Sequence, residues 1–394
     1  MEFLGYERPD GQAGTRNYVT IIPATNCVNE MACEIADDVA GTVPLLHNHG
    51  CLRLKPDNDR AYNTLVGLGR NPNVAAALIV GVGCDTLDPD VMAQDIALTG
   101  KPVEVVTIKS ADGYQRAIDA SRSIARSMMA KAELQQRVPL PLGLLSFGVK
   151  CGGSATISSA AGHPTVAHVV DRLIDEGGTV MFSETAEVIG AEHILANRAA
   201  TDEVRNRLLE VVGRFEQMIA EYGVDIRGAQ PTPGNILSGL TTIEEKSLGA
   251  LAKTGTRPLA GVLEYGETPQ APGLYLMDGP AWTSPLYLGM ASAGSQMFVF
   301  SLGGGLPGRF PSMPGAFRIP VVPTIKVTGD PTLKNELDYF DFYAGGIIEG
   351  TESKESAGER FLQRFVDIAS GAPTRQEFSK YREVLDIYAT GPMM

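Results

Sequence analysis

The chain has 394 residues, 44% hydrophobic and 20% charged, and is therefore long enough for two or three domains that each bury a core. Its 33 Lys and Arg against 46 Asp and Glu give a formal net charge of -13, which disfavours nucleic-acid and anionic-membrane partners. No apolar run approaches the roughly 20 residues of a transmembrane helix, and the first residues lack a signal-peptide pattern. These features predict a cytoplasmic protein.

The first third of the chain alternates strands with helices. YVTIIPATNC predicts a strand that ends at Cys27, and EMACEIADDVAG has the spacing of a helix with a glycine stop. VPLLHNHGC predicts a short strand that ends at His47, His49 and Cys51, and VAAALIVGVGCD predicts a buried strand that ends at Cys84. PVEVVTIKS predicts a further strand, which a long helix follows.

The rest of the chain continues this alternation. LGLLSFGVKCGGS predicts a strand that runs into Cys151, PTVAHVVDRLIDEGG a helix, and TVMFSETAEV a strand that ends near Glu184. Four later segments predict buried strands: PLAGVLEYGE, GLYLMDGP, QMFVFSLGGG and PVVPTIKVTG. The alternation predicts an α/β fold with parallel sheets and helices on both faces. Proline-bearing junctions divide it into three α/β segments: 1–135, 136–230 and 231–394.

Four of the five cysteines follow predicted strands: Cys27, Cys51, Cys84 and Cys151. Open α/β sheets bind ligands in the crevice beyond the carboxyl ends of their strands, so these cysteines can converge on a metal or iron–sulfur centre. His47 is a possible further ligand. For any one cysteine the alternative is an inert buried thiol, and we assign that role to Cys33, which lies inside a predicted helix.

Seven segments, in this order, resemble the altronate and galactarate dehydratase family, which also includes the large subunit of sulfolactate sulfo-lyase: GYERPDGQAGTRNY, LLHNHGC, GVGCD, KCGGS, VMFSETAEVIGAEHIL, PTPGN and GLTTIEEKSLGALAKTGT. The resemblance implies β-elimination from a 2-hydroxy acid, with iron as cofactor (mononuclear Fe2+ or an iron–sulfur cluster) or another divalent metal such as Mn2+. It also implies a small antifreeze-like domain, which sulfo-lyase-type members supply as a separate subunit. We further expect the chain to self-associate into a homo-oligomer.

The chain departs from the family pattern at three places, and at one of them Leu52 and Arg53 follow the second cysteine, where relatives often have a small residue. Ala155 stands where relatives usually have Asp after Cys-Gly-Gly-Ser, and Gly304 stands where they have Arg. Arg309 or Arg318 are the residues that could restore the lost positive charge. The departures indicate a substrate other than the usual sugar acid, and a compact anion such as sulfolactate is a reasonable alternative.

Removing a proton beside a carboxylate requires a positioned base and cations that face the carboxylate. His49 is the leading acid/base candidate, and Glu184 at a strand end is the second. The candidates for binding the substrate carboxylate or hydroxyls are Arg16, Asn17, Lys150, Ser154, Asn235 and Lys246. The other histidines fall near helices, where we expect structural roles: His163, His168 and His193.

Two other functions remain open. The chain could be a cysteine hydrolase in which Cys51 is the nucleophile and His49 is its base, although this leaves the other strand-end cysteines unexplained. Alternatively, the chain is a non-catalytic subunit stabilised by a metal. Metal analysis combined with lyase assays separates these functions from a metal-dependent lyase.

Overall fold

The structure is a computed structural model that describes residues 1–303, 318–378 and 383–392. Gly304 and Arg309, singled out above, lie outside these residues. Within the described ranges, no helix has both the length and the apolar composition needed to cross a membrane.

The strands are β1 (Glu2–Glu7), β2 (Ala13–Gly14), β3 (Tyr18–Pro23), β4 (Thr42–Pro44), β5 (Val74–Gly81), β6 (Val103–Thr107), β7 (Val138–Pro141), β8 (Ser146–Gly152), β9 (Thr179–Phe182), β10 (Leu259–Leu263), β11 (Gly273–Met277), β12 (Met297–Leu302), β13 (Thr324–Thr328) and β14 (Phe342–Tyr343). The α-helices are α1 (Asn29–Asp38), α2 (Lys55–Arg70), α3 (Pro89–Ala97), α4 (Tyr114–Glu133), α5 (His163–Asp175), α6 (Glu192–Ala196), α7 (Asp202–Glu221), α8 (Ile226–Ala229), α9 (Pro233–Leu237), α10 (Ile243–Leu251), α11 (Thr283–Ser292) and α12 (Lys354–Ala369).

A four-stranded parallel sheet has the order β4-β3-β5-β6. Its strand β5 reads VAAALIVG, and all eight residues are buried, as expected of a strand that is covered on both faces. Successive side chains of β5 point to opposite faces. Leu78 packs with α1 and α4 on one face, and Ile79 packs with α2 and α3 on the other.

A seven-stranded parallel sheet has the order β10-β11-β9-β8-β12-β13-β14. Helices α5 and α12 cover one face, where Phe147 and Phe365 meet with 5.0 Å between ring centroids. Helix α11 covers the other face, where Tyr287 stacks on Phe298 at 4.1 Å. The predicted α/β class is confirmed. Strands from both 136–230 and 231–394 enter this sheet, so these segments share one core.

The order of the seven-stranded sheet changes direction at β8. From β8 the chain continues to β9 and β10 on one side, whereas β12, β13 and β14 lie on the other. Ligands of open α/β sheets bind at such a switch point, beyond the carboxyl ends of the strands. Gly152 of β8 and Leu302 of β12 pair at this point, so the ligand crevice is expected here.

A small antiparallel sheet, which the sequence patterns did not predict, joins the start of the chain to the link between the large sheets. Strand β1 pairs with both β2 and β7, and Phe3 is in register with Leu140. Side chains of β1 alternate between exposed and buried positions. Phe3 therefore reaches the core beneath the seven-stranded sheet, while its neighbours face solvent.

The last described residues, 383–392, form a strap across the edge of the four-stranded sheet, which we call the C-terminal strap. Leu385 makes a parallel β-bridge with His47, beyond the end of β4. Asp57, in the first turn of α2, accepts the backbone N–H of Gly391 at 2.7 Å. The strap therefore ties the end of the chain to its first sheet.

Candidate active site

Three of the predicted metal ligands lie on loops that meet at the carboxyl edge of the four-stranded sheet. Backbone hydrogen bonds join the loops: the N–H of Asn26 donates to the His49 carbonyl at 2.9 Å, and the N–H of Thr86 donates to the Gly50 carbonyl at 3.3 Å. The three thiols on these loops are exposed: Cys27, Cys51 and Cys84. The carboxyl ends of parallel strands thus bring the three loops together.

These side chains are not arranged as a preformed metal site. Across the described ranges, no group of three or more His, Cys, Asp or Glu side chains is placed to hold a metal ion. His47 has no ring nitrogen left for a metal, because its Nε2 lies 2.7 Å from the Pro23 carbonyl oxygen and its Nδ1 accepts the N–H of His49 at 3.1 Å. The three exposed thiols are donors that suit iron.

His49, the leading acid/base candidate, is buried beneath the C-terminal strap. Its Nε2 lies 3.2 Å from the carbonyl oxygen of Ile387, and because a carbonyl only accepts, Nε2 carries the proton. Its Nδ1 is buried and has no partner among the described residues. Burial, reinforced by the positive charge of Arg53, lowers the pKa of His49. The ring is therefore neutral and presents an unprotonated Nδ1.

Cys151, the fourth predicted cysteine ligand, has different surroundings. It lies near the end of β8 and is fully buried. Its Sγ donates to Oε1 of Glu187 at 3.1 Å and lies 3.4 Å from Nζ of Lys253, which donates to Oε2 of Glu187 at 2.7 Å. The sulfur is thus held within a network of buried charges, apart from the exposed thiols.

Lys150 and Glu184 complete this network. Nζ of Lys150 forms an ion pair with Glu184 and donates to Oε1 of Glu187 at 3.1 Å. Glu184 follows β9 and has a φ of 78°, a left-handed conformation that side-chain-bearing residues rarely adopt and that is frequent at functional sites. This turn directs its carboxylate toward the end of β8. We call the five residues the ionic cluster: Lys150, Cys151, Glu184, Glu187 and Lys253.

Burial and charge set the protonation states of the ionic cluster. Burial, with the negative charge of Glu187, raises the pKa of Glu184 to about 7 against the opposing effect of Lys150. Burial alone would also raise the pKa of Glu187, but Lys150 and Lys253 outweigh it and lower this pKa. Burial raises the pKa of the Cys151 thiol. The cluster therefore holds Glu187 as an anion, while the Glu184 carboxyl titrates near neutrality.

Three residues that we predicted to bind the substrate border the ionic cluster: Ser154, Asn235 and Lys246. Nδ2 of Asn235 donates to the Ser154 carbonyl oxygen at 3.0 Å, so this amide holds the loop that follows β8. Nζ of Lys246 donates to Oε1 of Gln230 at 2.8 Å. Its positive charge offsets a small part of the rise that burial and Glu187 cause in the pKa of Glu184. Asn235 thus has a positioning role, and Lys246 contributes positive charge near the cluster.

Arg16 and Asn17 have partners elsewhere, in contrast to their predicted roles in substrate binding. The Arg16 guanidinium donates to both carboxylate oxygens of Glu377, at 2.7 and 2.8 Å, and to three backbone carbonyls. These contacts use all five of its N–H groups. Oδ1 of Asn17 accepts from Arg8 at 2.8 Å. Both side chains therefore stabilise the fold.

The sequence patterns missed Glu187 and Lys253 and assigned His163 a structural role. The charges of Lys253, Glu187 and Lys150 all act on the His163 ring, so this histidine lies beside the ionic cluster. A signal for Lys253 was present, because it interrupts the apolar run of GALAKTG, and a charge in such a run requires a partner when it is buried. Glu187 lies three residues after Glu184 in the SETAEV segment.

An open cleft of about 960 Å³ lies elsewhere among the described residues. Its lining includes Tyr62, Arg70, Asp95 and Glu264, and no member of the ionic cluster. The Arg70–Asp95 ion pair is partly exposed on both sides, and such a pair is weak and screened by solvent. Because the Glu184 carboxyl, whose pKa is raised by burial, lies at the switch point, the ionic cluster is the candidate active site.

Two family models match the chain. The model described as D-galactarate/Altronate dehydratase, C-terminal, matches residues 142–391. The model described as D-galactarate dehydratase/Altronate hydrolase, second domain, matches residues 5–133. The first covers the seven-stranded sheet, and the second covers the four-stranded sheet.

Relatives are similar along nearly the whole chain. The beta subunit of (2R)-sulfolactate sulfo-lyase from Chromohalobacter salexigens is 35% identical over 97% of this chain and 96% of its own length. Altronate dehydratase from Bacillus subtilis is 30% identical over 99% of this chain and 78% of its own length. Galactarate dehydratase (L-threo-forming) from Escherichia coli is 31% identical over 94% of this chain and 73% of its own length. The chain therefore belongs to the D-galactarate/altronate dehydratase family of lyases, as its motifs indicated.

Proposed function

We propose that the chain is the large catalytic subunit of a lyase that eliminates a C3 substituent from a 2-hydroxy acid and forms a 2-keto acid. The observation that carries this proposal is the ionic cluster, in which a carboxyl that titrates near neutrality is paired with a buried lysine at the switch point. The named relatives act on sulfolactate, altronate and galactarate, and each of these compounds is a hydroxy acid.

The ionic cluster contains the groups that this chemistry requires. Removal of the C2 proton places negative charge on the neighbouring carboxylate, which a buried cation stabilises. Lys150 supplies that cation, because Glu184 and Glu187 together outweigh its burial and raise its pKa. The Glu184 carboxylate accepts the C2 proton, since a base is most effective when its pKa lies near the working pH. Loss of the C3 substituent then leaves an enol that becomes the keto acid.

His49 is a second candidate for the base. Its buried Nδ1 has no partner within the described ranges and is unprotonated, so it can accept a proton. Its lowered pKa makes it a weaker base than Glu184 at neutral pH. Replacing each residue separately distinguishes the two candidates, because removal of the base is expected to cost about 100-fold or more in rate.

We further propose iron as the cofactor, as mononuclear Fe2+ or an iron–sulfur cluster, with Mn2+ as the alternative metal. Cys27, Cys51 and Cys84 would hold it, because their loops meet and their thiols are exposed. When bound, the metal supplies a Lewis acid for the departing substituent.

A partner subunit forms part of the proposal. The relative from Chromohalobacter salexigens is named a beta subunit, which supports assembly of this chain with another subunit. We propose that this partner is a small antifreeze-like subunit, and we also expect the chain to self-associate. The same relative matches over 96% of its length, and Ala155 stands where the family resemblance leads us to expect an acidic residue. We therefore propose a compact anion such as sulfolactate as the substrate.

The cysteine-hydrolase alternative is disfavoured. The Cys51 thiol is exposed, whereas the His49 ring is buried. Within the described part of the chain, the His49 ring has one hydrogen bond, which joins it to the backbone carbonyl of Ile387. A nucleophilic thiol requires a base within hydrogen-bonding reach, and this pair does not provide that geometry. The family of lyases likewise disfavours a non-catalytic role.

The test is an assay of keto-acid formation from (2R)-sulfolactate, altronate and galactarate, using anaerobically purified, metal-loaded protein with its partner subunit. Exchange of the C2 proton in deuterated water reports the first step. We expect Glu184→Gln to lower the rate about 100-fold or more, and Glu359→Gln, which removes an exposed carboxylate, to leave it unchanged. If no hydroxy acid exchanges or eliminates, the proposal fails; if only His49→Ala loses activity, His49 is the base.

A further inference from the structure

Three buried polar atoms next to the ionic cluster have no hydrogen-bond partner within the described ranges: Oγ of Ser158, Oγ of Ser301 and Nε2 of His163. All three residues are at least 98% buried. Buried polar atoms in native proteins almost always have a partner, and exceptions require an explanation. Here three such atoms occur around a single turn of the chain.

The three residues surround the π-helical turn Ser158–Gly162, which packs on β12 and β13. Ser301 faces this turn, because its hydroxyl oxygen lies 2.8 Å from the position that a Cβ would take on Gly162. The Ser158 hydroxyl lies against Gly303 in the same way. Any side chain at Gly162 or Gly303 would therefore clash with these hydroxyls, so both positions require glycine.

The turn also adjoins the ionic cluster. Ser301 is the register partner of Cys151 on the neighbouring strand β8, so the two side chains are neighbours on one face of the sheet. His163 begins α5 directly after the turn, and the charges of Lys253 and Glu187 act on its ring. The unpartnered atoms thus lie beside the groups proposed for the reaction.

The protonation of His163 determines what it can bind. Its Nδ1 lies 2.7 Å from the Gly249 carbonyl oxygen, and because a carbonyl only accepts, Nδ1 carries the proton. Burial, with repulsion from Lys253, lowers the pKa of His163 to about 4, so the ring is neutral. Nε2 is therefore an acceptor that requires a donor. A carboxylate or sulfonate oxygen cannot donate, whereas an alcohol can.

We propose that Ser158, Ser301 and His163 form a hydroxyl-binding subsite in which the substrate's alcohol donates its proton to Nε2 of His163 and exchanges hydrogen bonds with the serine hydroxyls. This inference rests on the proposed function, since it divides the recognition of a hydroxy acid between two neighbouring sites. The ionic cluster binds the charged group, and the subsite binds the hydroxyl. Anions that lack the hydroxyl therefore bind weakly.

The experiment compares two anions that differ by this hydroxyl, (2R)-sulfolactate and 3-sulfopropionate, by calorimetry on the metal-loaded full chain. We expect the wild type to bind sulfolactate at least about tenfold more tightly than 3-sulfopropionate, and we use this ratio of affinities as the readout. Ser301→Ala and His163→Asn should reduce this ratio toward 1. Asn is chosen at position 163 because its side-chain amide is a donor that can replace the His163 Nδ1–H facing the Gly249 carbonyl. Ser121→Ala is the matched control, because Ser121 has a buried, unpartnered hydroxyl in α4, beside the other sheet.

The outcomes separate the subsite from the lyase function. A wild-type ratio near 1, as expected if only water occupies the site, overturns the subsite. A large ratio that Ser301→Ala and His163→Asn both retain also overturns it and leaves the lyase function intact. If neither anion binds and no hydroxy acid reacts, the proposed function fails and the subsite fails with it. Ser158→Ala provides another hydroxyl deletion if one of these variants does not fold.

Discussion

The carboxyl edges of the two parallel sheets have the same architecture but opposite surroundings. At the four-stranded sheet, loops joined by backbone hydrogen bonds carry exposed thiols. At the seven-stranded sheet, Cys151 ends a strand in a comparable position, yet it is fully buried among ion pairs. The position of a residue after a strand therefore does not determine its chemistry. Its chemistry is determined by the segments that cover the strand end.

The covering segments are short turns. Glu187 lies in the 3-10 turn Thr185–Glu187, and Lys253 lies in the turn Ala252–Thr254. Both turns bring a charge to the buried end of β8, where Glu187 and Lys253 form an ion pair. Such a pair gains stability only while both partners are present, because each charge has been removed from water. The comparison therefore predicts that the buried edge is sensitive to single changes and the exposed edge is tolerant of them.

The largest expected effect tests this sensitivity directly. Lys253→Met should lower the free energy of unfolding by about 3–5 kcal/mol, because it leaves the Glu187 charge buried without one of its cations. Lys55→Met is the control, since its ion pair with Asp59 is exposed and should contribute no more than about 1 kcal/mol. Urea unfolding of both variants measures the difference. Equal losses would contradict the contrast between the two edges.

The second prediction concerns the thiols. Iodoacetamide should modify Cys27, Cys51 and Cys84 at least about 100-fold faster than Cys151, because a buried thiol with a raised pKa is inert. Peptide mass spectrometry measures each rate. Anaerobic Fe2+ should protect the three exposed thiols if they hold the metal. Modification of Cys151 at the rate of the others would show that the ionic cluster is open, and a lack of protection would remove the proposed ligands.

The third prediction is the pH dependence of kcat/KM. With a pKa of about 7, the Glu184 base loses its proton as the pH rises, so activity should increase about tenfold per pH unit below pH 7 and level off above it. Glu184→Gln should abolish this limb. Stability should change in the opposite direction: the unfolded chain releases this proton at lower pH, so the free energy of unfolding falls as the pH rises toward 7. If kcat/KM of Glu184→Gln still rises with pH below pH 7, another group controls this part of the pH profile.

Local pattern was sufficient to predict most strands of the two parallel sheets, several of the helices and the residues at the strand ends. The apolar run of β5 and the Gly-rich end of β8 are examples, because periodicity and turn residues act over a few positions. Pattern could not predict the pairing of Cys151 with Lys253, which lies 102 residues further along the chain. Nor could it show that Arg16 pairs with Glu377, since the two residues lie 361 positions apart in the sequence.

The C-terminal strap has a consequence for biosynthesis. Asp57 emerges from the ribosome early, but its partners, the backbone N–H groups of Thr390 and Gly391, are made 333 and 334 residues later. Domains generally fold in the order of synthesis, so the four-stranded sheet can form while its edge at His47 still lacks Leu385. The surroundings of His49 are therefore completed only after the C-terminal strap has been made, and a nascent chain without the strap lacks the Ile387 carbonyl that binds the His49 ring.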